Sequence, residues 1–229
     1  MVRKTTIGII GSIPSIVKND GGLYEGDLRS YFRAVFHHAK NLTHPYHNFR
    51  YVCHVMWLCY QACIYYIDKL TPRQMRNLLI AGLFHDFNHT GEGGLDSVNI
   101  ARALEGLREH LAPEDVDHFE DIAAIIRWTE FPYKTPSEEI GLLGQIVRDA
   151  DRSQAMSTAW IQQVIIGLSE EWHRSRFEVL KMQEGFHASL KFTTDWAKEM
   201  FTQNDIDAKI AEARELVAIL EEEPVAATA

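Results

Sequence analysis

The chain has 229 residues, 46% of them hydrophobic and 10% aromatic, enough to bury one full core. Its formal net charge of -9 argues against a broad basic face, so nucleic acid is a poor partner, although a local metal centre could still attract a phosphate ester. Cys53, Cys59 and Cys63 fall in one expected helix and imply no disulfide framework, which fits a reducing cytoplasm. No apolar run reaches membrane-spanning length, and the mildly apolar stretch 5–17 lacks a convincing cleavage site, so neither a membrane partner nor a signal peptide is expected.

Taken in chain order, the pattern is helical nearly throughout. An N-terminal extension over 1–22 is expected to be loose, and helices are expected at 26–42, 46–70, 72–84, 95–111, 113–129, 138–149, 157–171, 173–186, 192–202 and 205–222. One domain therefore spans 23–222, followed by a tail over 223–229. Thr71-Pro72 reads as an N-cap followed by a first-position proline, and Pro113-Glu114-Asp115 puts proline and acids in another first turn. Gly91 to Gly94 and Phe131 to Pro136 break the pattern. No window alternates with period two, so the expected fold is all-α, a compact multi-helix bundle. Ile206, Ile210, Ala213, Val217 and Leu220 line one face of the last helix. That face closes the bundle on the first reading and makes a homodimer contact on the second.

One group of residues carries chemistry. His85-Asp86 ends the apolar run 78–84, and an adjacent imidazole and carboxylate suit a borderline or hard divalent cation. His89 follows one turn later on the face of His85, while Asp86 points about a quarter turn away. Asp151, set among Ile146, Val147 and Ala150, must arrive from another helix. Charges in apolar helices are costly without a metal or counterion, which favours a metal reading over a purely structural one. Mixed nitrogen and oxygen donors suit an open hydrolytic site better than a closed thiolate one, and point to metal-activated water. On a helix over 46–70, His47, Tyr51, His54 and Leu58 would share a face. His47 and His54 would then lie about 10 Å apart along the axis, one free to ligate and the other to handle a proton.

In their order along residues 45–200 these motifs resemble the HD superfamily of metal-dependent phosphohydrolases and, more closely, the class I cyclic nucleotide phosphodiesterases. The segment from Tyr46 to Arg50 resembles the family's YHNxxH, and that from His85 to Gly91 its HDxDHPG. Ile125 to Glu130 resembles IxATD, Asp149 to Ser153 resembles ADLS, and Met182 to Phe186 resembles SQVGF. The resemblance implies that His85, Asp86 and Asp151 ligate metal and that His89 stands beside a second ion and its bridging hydroxide, with Asp86 touching both ions. It implies that His47 is the general acid, that Gln183 and Phe186 bind a purine, and that Asn99 and Thr129 lie near second-metal waters. The chain departs from the family in three ways. Tyr51 stands where a metal histidine is expected, Asn99 where a glutamate is expected, and the chain is shorter. His54, one turn after Tyr51, is the expected replacement ligand.

These readings converge on a cytoplasmic metal-dependent phosphohydrolase, first a 3′,5′-cyclic nucleotide phosphodiesterase. Its cofactors would be two divalent ions drawn from Zn, Mn, Fe, Mg or Co, and its partner a small-molecule phosphate ester, a nucleotide. The alternatives are an HD-type nucleotidase acting on nucleoside monophosphates and a non-catalytic nucleotide-binding module. A dinuclear iron oxygenase is a more remote one.

Overall fold

The computed structural model describes residues 11–92 and 95–221. Those residues form eleven α-helices joined by short 3-10 turns and one π-helix, with no strand among them, so the fold is all-α as expected. No helix among the described residues is long and apolar enough to cross a membrane.

Helix α4 (Pro72–Phe84) is the central element. Thr71 and Gln74 form a reciprocal capping box at its start, and every residue from Met75 to Phe84 is buried. It packs against α3 (Phe49–Tyr65), α2 (Arg29–His38), α5 (Asp96–Glu109), α6 (Phe119–Arg127) and α7 (Leu142–Arg152). A helix hydrophobic on all faces can only sit inside such a ring. One charged network is sealed into this core. The Asp115 carboxylate accepts from Arg76 Nε at 2.8 Å, Arg76 Nη2 at 2.6 Å and the Tyr31 hydroxyl at 2.6 Å, and also pairs with Arg73. Helix α5 is pressed onto the end of α4 at Gly106, where a Cβ would lie 2.2 Å from the Phe87 ring, so a larger residue is shut out.

A smaller apolar cluster gathers Trp160, Val164, Ile165, Leu168, Val179 and Leu180. It is built from the π-helix Ile161–Ile166, α8 (Gly167–Glu171), α9 (Arg176–Ser189) and α11 (Gln203–Glu221), with α10 (Asp195–Met200) intervening. Helix α11 lies along α9 and buries Ile206 and Ala213, which is the bundle-closing arrangement.

Several boundaries differ from expectation. Part of the supposedly loose extension is helical: α1 (Ile13–Lys18) is capped by Ser12, and Ile16 is fully buried, so the domain begins before residue 23. Residues 1–10 and the whole tail over 223–229 lie outside the described residues. The stretch 113–129 divides into a 3-10 turn, Pro113–His118, and α6, because Asp115 turns inward to meet Arg76. Helix α7 begins later than expected and runs to Arg152, so that Asp151 is helical. Helix α9 starts at Arg176, where Ser175 and Glu178 make a second capping box.

Candidate functional site

His85 caps the C-terminus of α4 and its Nδ1 lies 2.9 Å from the Gly82 carbonyl oxygen. That bond fixes the proton on Nδ1 and aims the Nε2 lone pair away from the helix. Nε2 then lies 3.4 Å from Asp86 Oδ2 and 3.5 Å from Asp151 Oδ1. Both His85 Nε2 and Asp86 Oδ2 are buried with no hydrogen-bond partner. These atoms need positive charge among them, supplied either by a proton on Nε2 or by a bound cation. Burial opposes a charge on His85, yet Asp86 and Asp151 overcome it and push its pKa up to about 9. A four-coordinate cation with bonds of about 2.0–2.2 Å would set neighbouring ligand atoms roughly 3.4 Å apart, which matches both His85 separations. The donor types suit a divalent ion and His85 matches either carboxylate in spacing, but the Asp86 and Asp151 ligand atoms lie more than 4.8 Å apart and would have to close on the ion.

Tyr51 occupies the corner where a further ligand was expected. Its hydroxyl donates to the Asp151 carboxylate and lies 2.9 Å from the Asp151 backbone oxygen. Burial first, and then the Asp151 charge, raise its pKa well above the ordinary phenol value, so it stays neutral. His54 does not replace it. Helix α3 begins only at Phe49, capped by Asn48, so His47 precedes the helix and the shared face expected for His47, Tyr51 and His54 does not exist. A three-residue step turns the side chain through about 300° and one turn along the axis. This carries His54 to a separate cavity beside Arg50 and Trp57.

The second half of the site is the pair His47 and Glu171. His47 Nδ1 bonds the carboxylate of Glu171, whose other oxygen accepts from the backbone N–H groups of Tyr46 at 2.9 Å and His47 at 3.1 Å. Burial opposes a charge on His47, but the Glu171 bond and the charges of Asp86, Glu171 and Asp151 hold its pKa above the usual histidine value. Sequence reasoning missed Glu171. It reaches His47 because Gly167, four residues earlier on the same helical face, lets α8 approach the loop so closely that a Cβ would lie 2.8 Å from the Pro45 oxygen. Asn41, buried, ties this loop to the His85 turn: its Oδ1 accepts from the Asn88 N–H at 3.0 Å and its Nδ2 donates to the His47 carbonyl at 2.7 Å.

His89 stacks on His47 with ring centroids 3.7 Å apart. The Gly91 N–H donates to its Nδ1 at 3.0 Å and the Asn99 amide lies 2.9 Å from its Nε2. Burial lowers its pKa to about 4, so it is a neutral ring flanking His47. Asn99 is correspondingly a brace: its Oδ1 accepts from the Thr90 backbone and hydroxyl, while its amide meets His89 and Asp96. Among the described residues, the trio of His, Cys, Asp or Glu side chains whose ligand atoms all lie within 4.8 Å of one another is His47, His89 and Glu171; His85, Asp86 and Asp151 do not form such a trio.

The expected substrate contacts lie elsewhere. The Thr129 hydroxyl donates 2.7 Å back to the Ile126 carbonyl within its own helix end. Gln183 is buried and donates to the Val179 carbonyl at 3.0 Å, whereas Phe186 is exposed and packs edge-on to His187. One residue on the buried face of α9 and one on its exposed face do not make a clamp on a shared surface. Comparison with protein-family models and with curated proteins finds no match to this chain.

Proposed function

We propose that this protein is a metal-dependent phosphohydrolase acting on a small phosphate ester, with a 3′,5′-cyclic nucleotide as the first substrate to test. The observation that carries the reading is the convergence of His85 Nε2 on Asp86 and Asp151 with two of those atoms buried and unpartnered. His85, Asp86 and Asp151 would hold a divalent cation. Bound there, such an ion supplies Lewis acidity and makes water a nucleophile near neutral pH. His47 is the general acid. With Nδ1 bonded to Glu171 and its pKa raised, the ring keeps a second proton on Nε2 to give to the departing ester oxygen. Glu171 and Asn41 hold the ring in place, and neutral His89 supports its face. The choice of a cyclic nucleotide rests on the motif resemblance alone, since Gln183 and Phe186 do not meet on one surface.

A second reading has its own support. The Tyr51 hydroxyl already donates to Asp151, which favours a module that binds a nucleotide without hydrolysing it. Elemental analysis of the purified protein, combined with steady-state assays on cyclic and linear nucleotides, separates the two. Stoichiometric metal with turnover, both lost in Asp151→Ala, supports the hydrolase. Turnover that survives metal-free in that variant ends it, and wild-type protein with neither metal nor turnover favours the binder.

A further inference from the structure

A cavity of about 530 Å³ lies beside the His85 cluster without being part of it. Arg50, Cys53, His54 and Trp57 reach it from one face of α3, at the spacing that stacks side chains along a helix. Tyr51 leaves the neighbouring face toward Asp151. The opposite wall includes Gln154, Ser157 and Gln163.

This cavity is built for a polar occupant. Two atoms of its lining residues are buried and lack hydrogen-bond partners, His54 Nε2 and Ser157 Oγ, and their desolvation cost is one that a bound polar group would remove. Among the described residues no acidic side chain lines the space, although the chain as a whole has a net charge of -9. The Arg50 guanidinium rests against the Gln163 amide, a neutral partner that leaves its charge uncompensated. Burial and that charge together lower the pKa of His54, so the ring is neutral and offers a lone pair or an N–H. Trp57 adds a half-buried aromatic face. The volume falls within the range of roughly 300–1,000 Å³ that small-molecule pockets occupy.

We propose that this cavity binds a small planar anion, a flat ring with hydrogen-bonding edges that carries a phosphate or a carboxylate. The anionic group meets Arg50, the ring lies against Trp57, and its edge satisfies Ser157 and His54. Arg50 directly precedes Tyr51, and Gln154 follows Asp151 by three residues, so the occupant touches both elements that hold the His85 cluster.

Calorimetric titration with 5′-AMP and, separately, with nicotinate tests the site and distinguishes phosphate from carboxylate. The wild-type chain should bind one of the two, with one molecule per chain. Arg50→Gln should weaken that binding about tenfold to a hundredfold, the worth of one charge-assisted contact. Ser157→Ala should weaken it less, and Asp86→Asn, which disables the other cluster, should leave it unchanged. Arg50 is exposed, so far-UV circular dichroism of Arg50→Gln should match wild type. Failure of both probes at millimolar concentration overturns the proposal, as does binding that ignores Arg50→Gln. Binding abolished by Asp86→Asn instead places the ligand at the His85 cluster, and says nothing against hydrolysis there.

Discussion

Glu171→Gln isolates the proton-handling half of the site. Both backbone N–H bonds, from Tyr46 and His47, reach Glu171 Oε2, and the imidazole bond reaches Oε1. A glutamine can keep its oxygen on the two N–H groups, so its NH2 must face His47 Nδ1. That geometry reverses the tautomer. Nδ1 becomes an acceptor, the carboxylate charge that favours the doubly protonated ring is gone, and the neutral ring's remaining N–H is a far weaker acid. Removing a general acid costs about 10²–10⁴ in rate, or roughly 3–5 kcal/mol of barrier. Because the bond to the ring is exchanged rather than lost, stability should move by no more than about 1.5 kcal/mol. The assay compares a cyclic nucleotide, whose departing alkoxide needs a proton, with bis(p-nitrophenyl) phosphate, whose departing phenolate does not. The loss should be large for the first and less than about tenfold for the second. Equal losses on both substrates, or none on either, would refute the assignment of His47 and Glu171.

Three further substitutions probe other joints. Tyr51→His removes the hydroxyl that donates to Asp151 and puts an imidazole in its place; affinity for a divalent cation, measured against a competing chelator, should rise about ten- to a hundredfold. An unchanged value would mean that Tyr51 does not stand in a ligand's corner. Gly167→Ala puts a methyl group 2.8 Å from the Pro45 oxygen and should push α8 off the loop, cutting turnover through Glu171 while helix content by circular dichroism holds. Asp115→Asn leaves the buried Arg76 guanidinium without its counterion and should cost about 3–5 kcal/mol, a drop in Tm of roughly 10 °C. Burial opposes the Asp115 charge, but Arg76, Tyr31 and Arg73 outweigh it and hold its pKa below the usual carboxylate value. The contribution is therefore complete above the unfolded pKa of about 3.9 and lost as pH falls through the folded value, so the stability gap between variant and wild type should narrow in acid.

What the sequence made legible was local chemistry. Thr71-Pro72 with Gln74 three residues after the cap marks the start of α4 to the residue, because capping satisfies N–H groups within one turn. The apolar run before His85 marks burial for the same reason that α4 is central. Helix α3 starts three residues later than the expected 46–70 because Asn48, which can continue a helix or cap one, is its cap, and the shared face expected for His47, Tyr51 and His54 depended on that register. Ser175 and Glu178 carried an equally readable capping box that was passed over. Glu171 was not readable at all. It follows Glu170 in an ordinary amphipathic stretch, and its meeting with His47 depends on a π-helix and on a glycine contact 122 residues away from Pro45 in sequence.

The two halves of the site come from different parts of the fold, and this explains why local patterns found one and not the other. His85, Asp86 and Asp151 sit at the ends of α4 and α7, whose apolar faces belong to the main core; periodicity predicts those helices and their burial, while the ligand set was read from residue type and motif resemblance. His47 and Glu171 are held by a capped loop and by a short helix beside the smaller cluster, and nothing periodic aligns those two. The joint between the halves is polar: Asn41 bonds one backbone group on each side, the N–H of Asn88 and the carbonyl of His47. Such a joint would fix the distance from the proposed cation site to the proposed proton donor without apolar packing between them. A shift of α8 or of the 45–47 loop would therefore separate the acid from the ligands while leaving the core intact, which is why substitutions at Gly167 and Glu171 are expected to silence the chemistry in a chain that still folds.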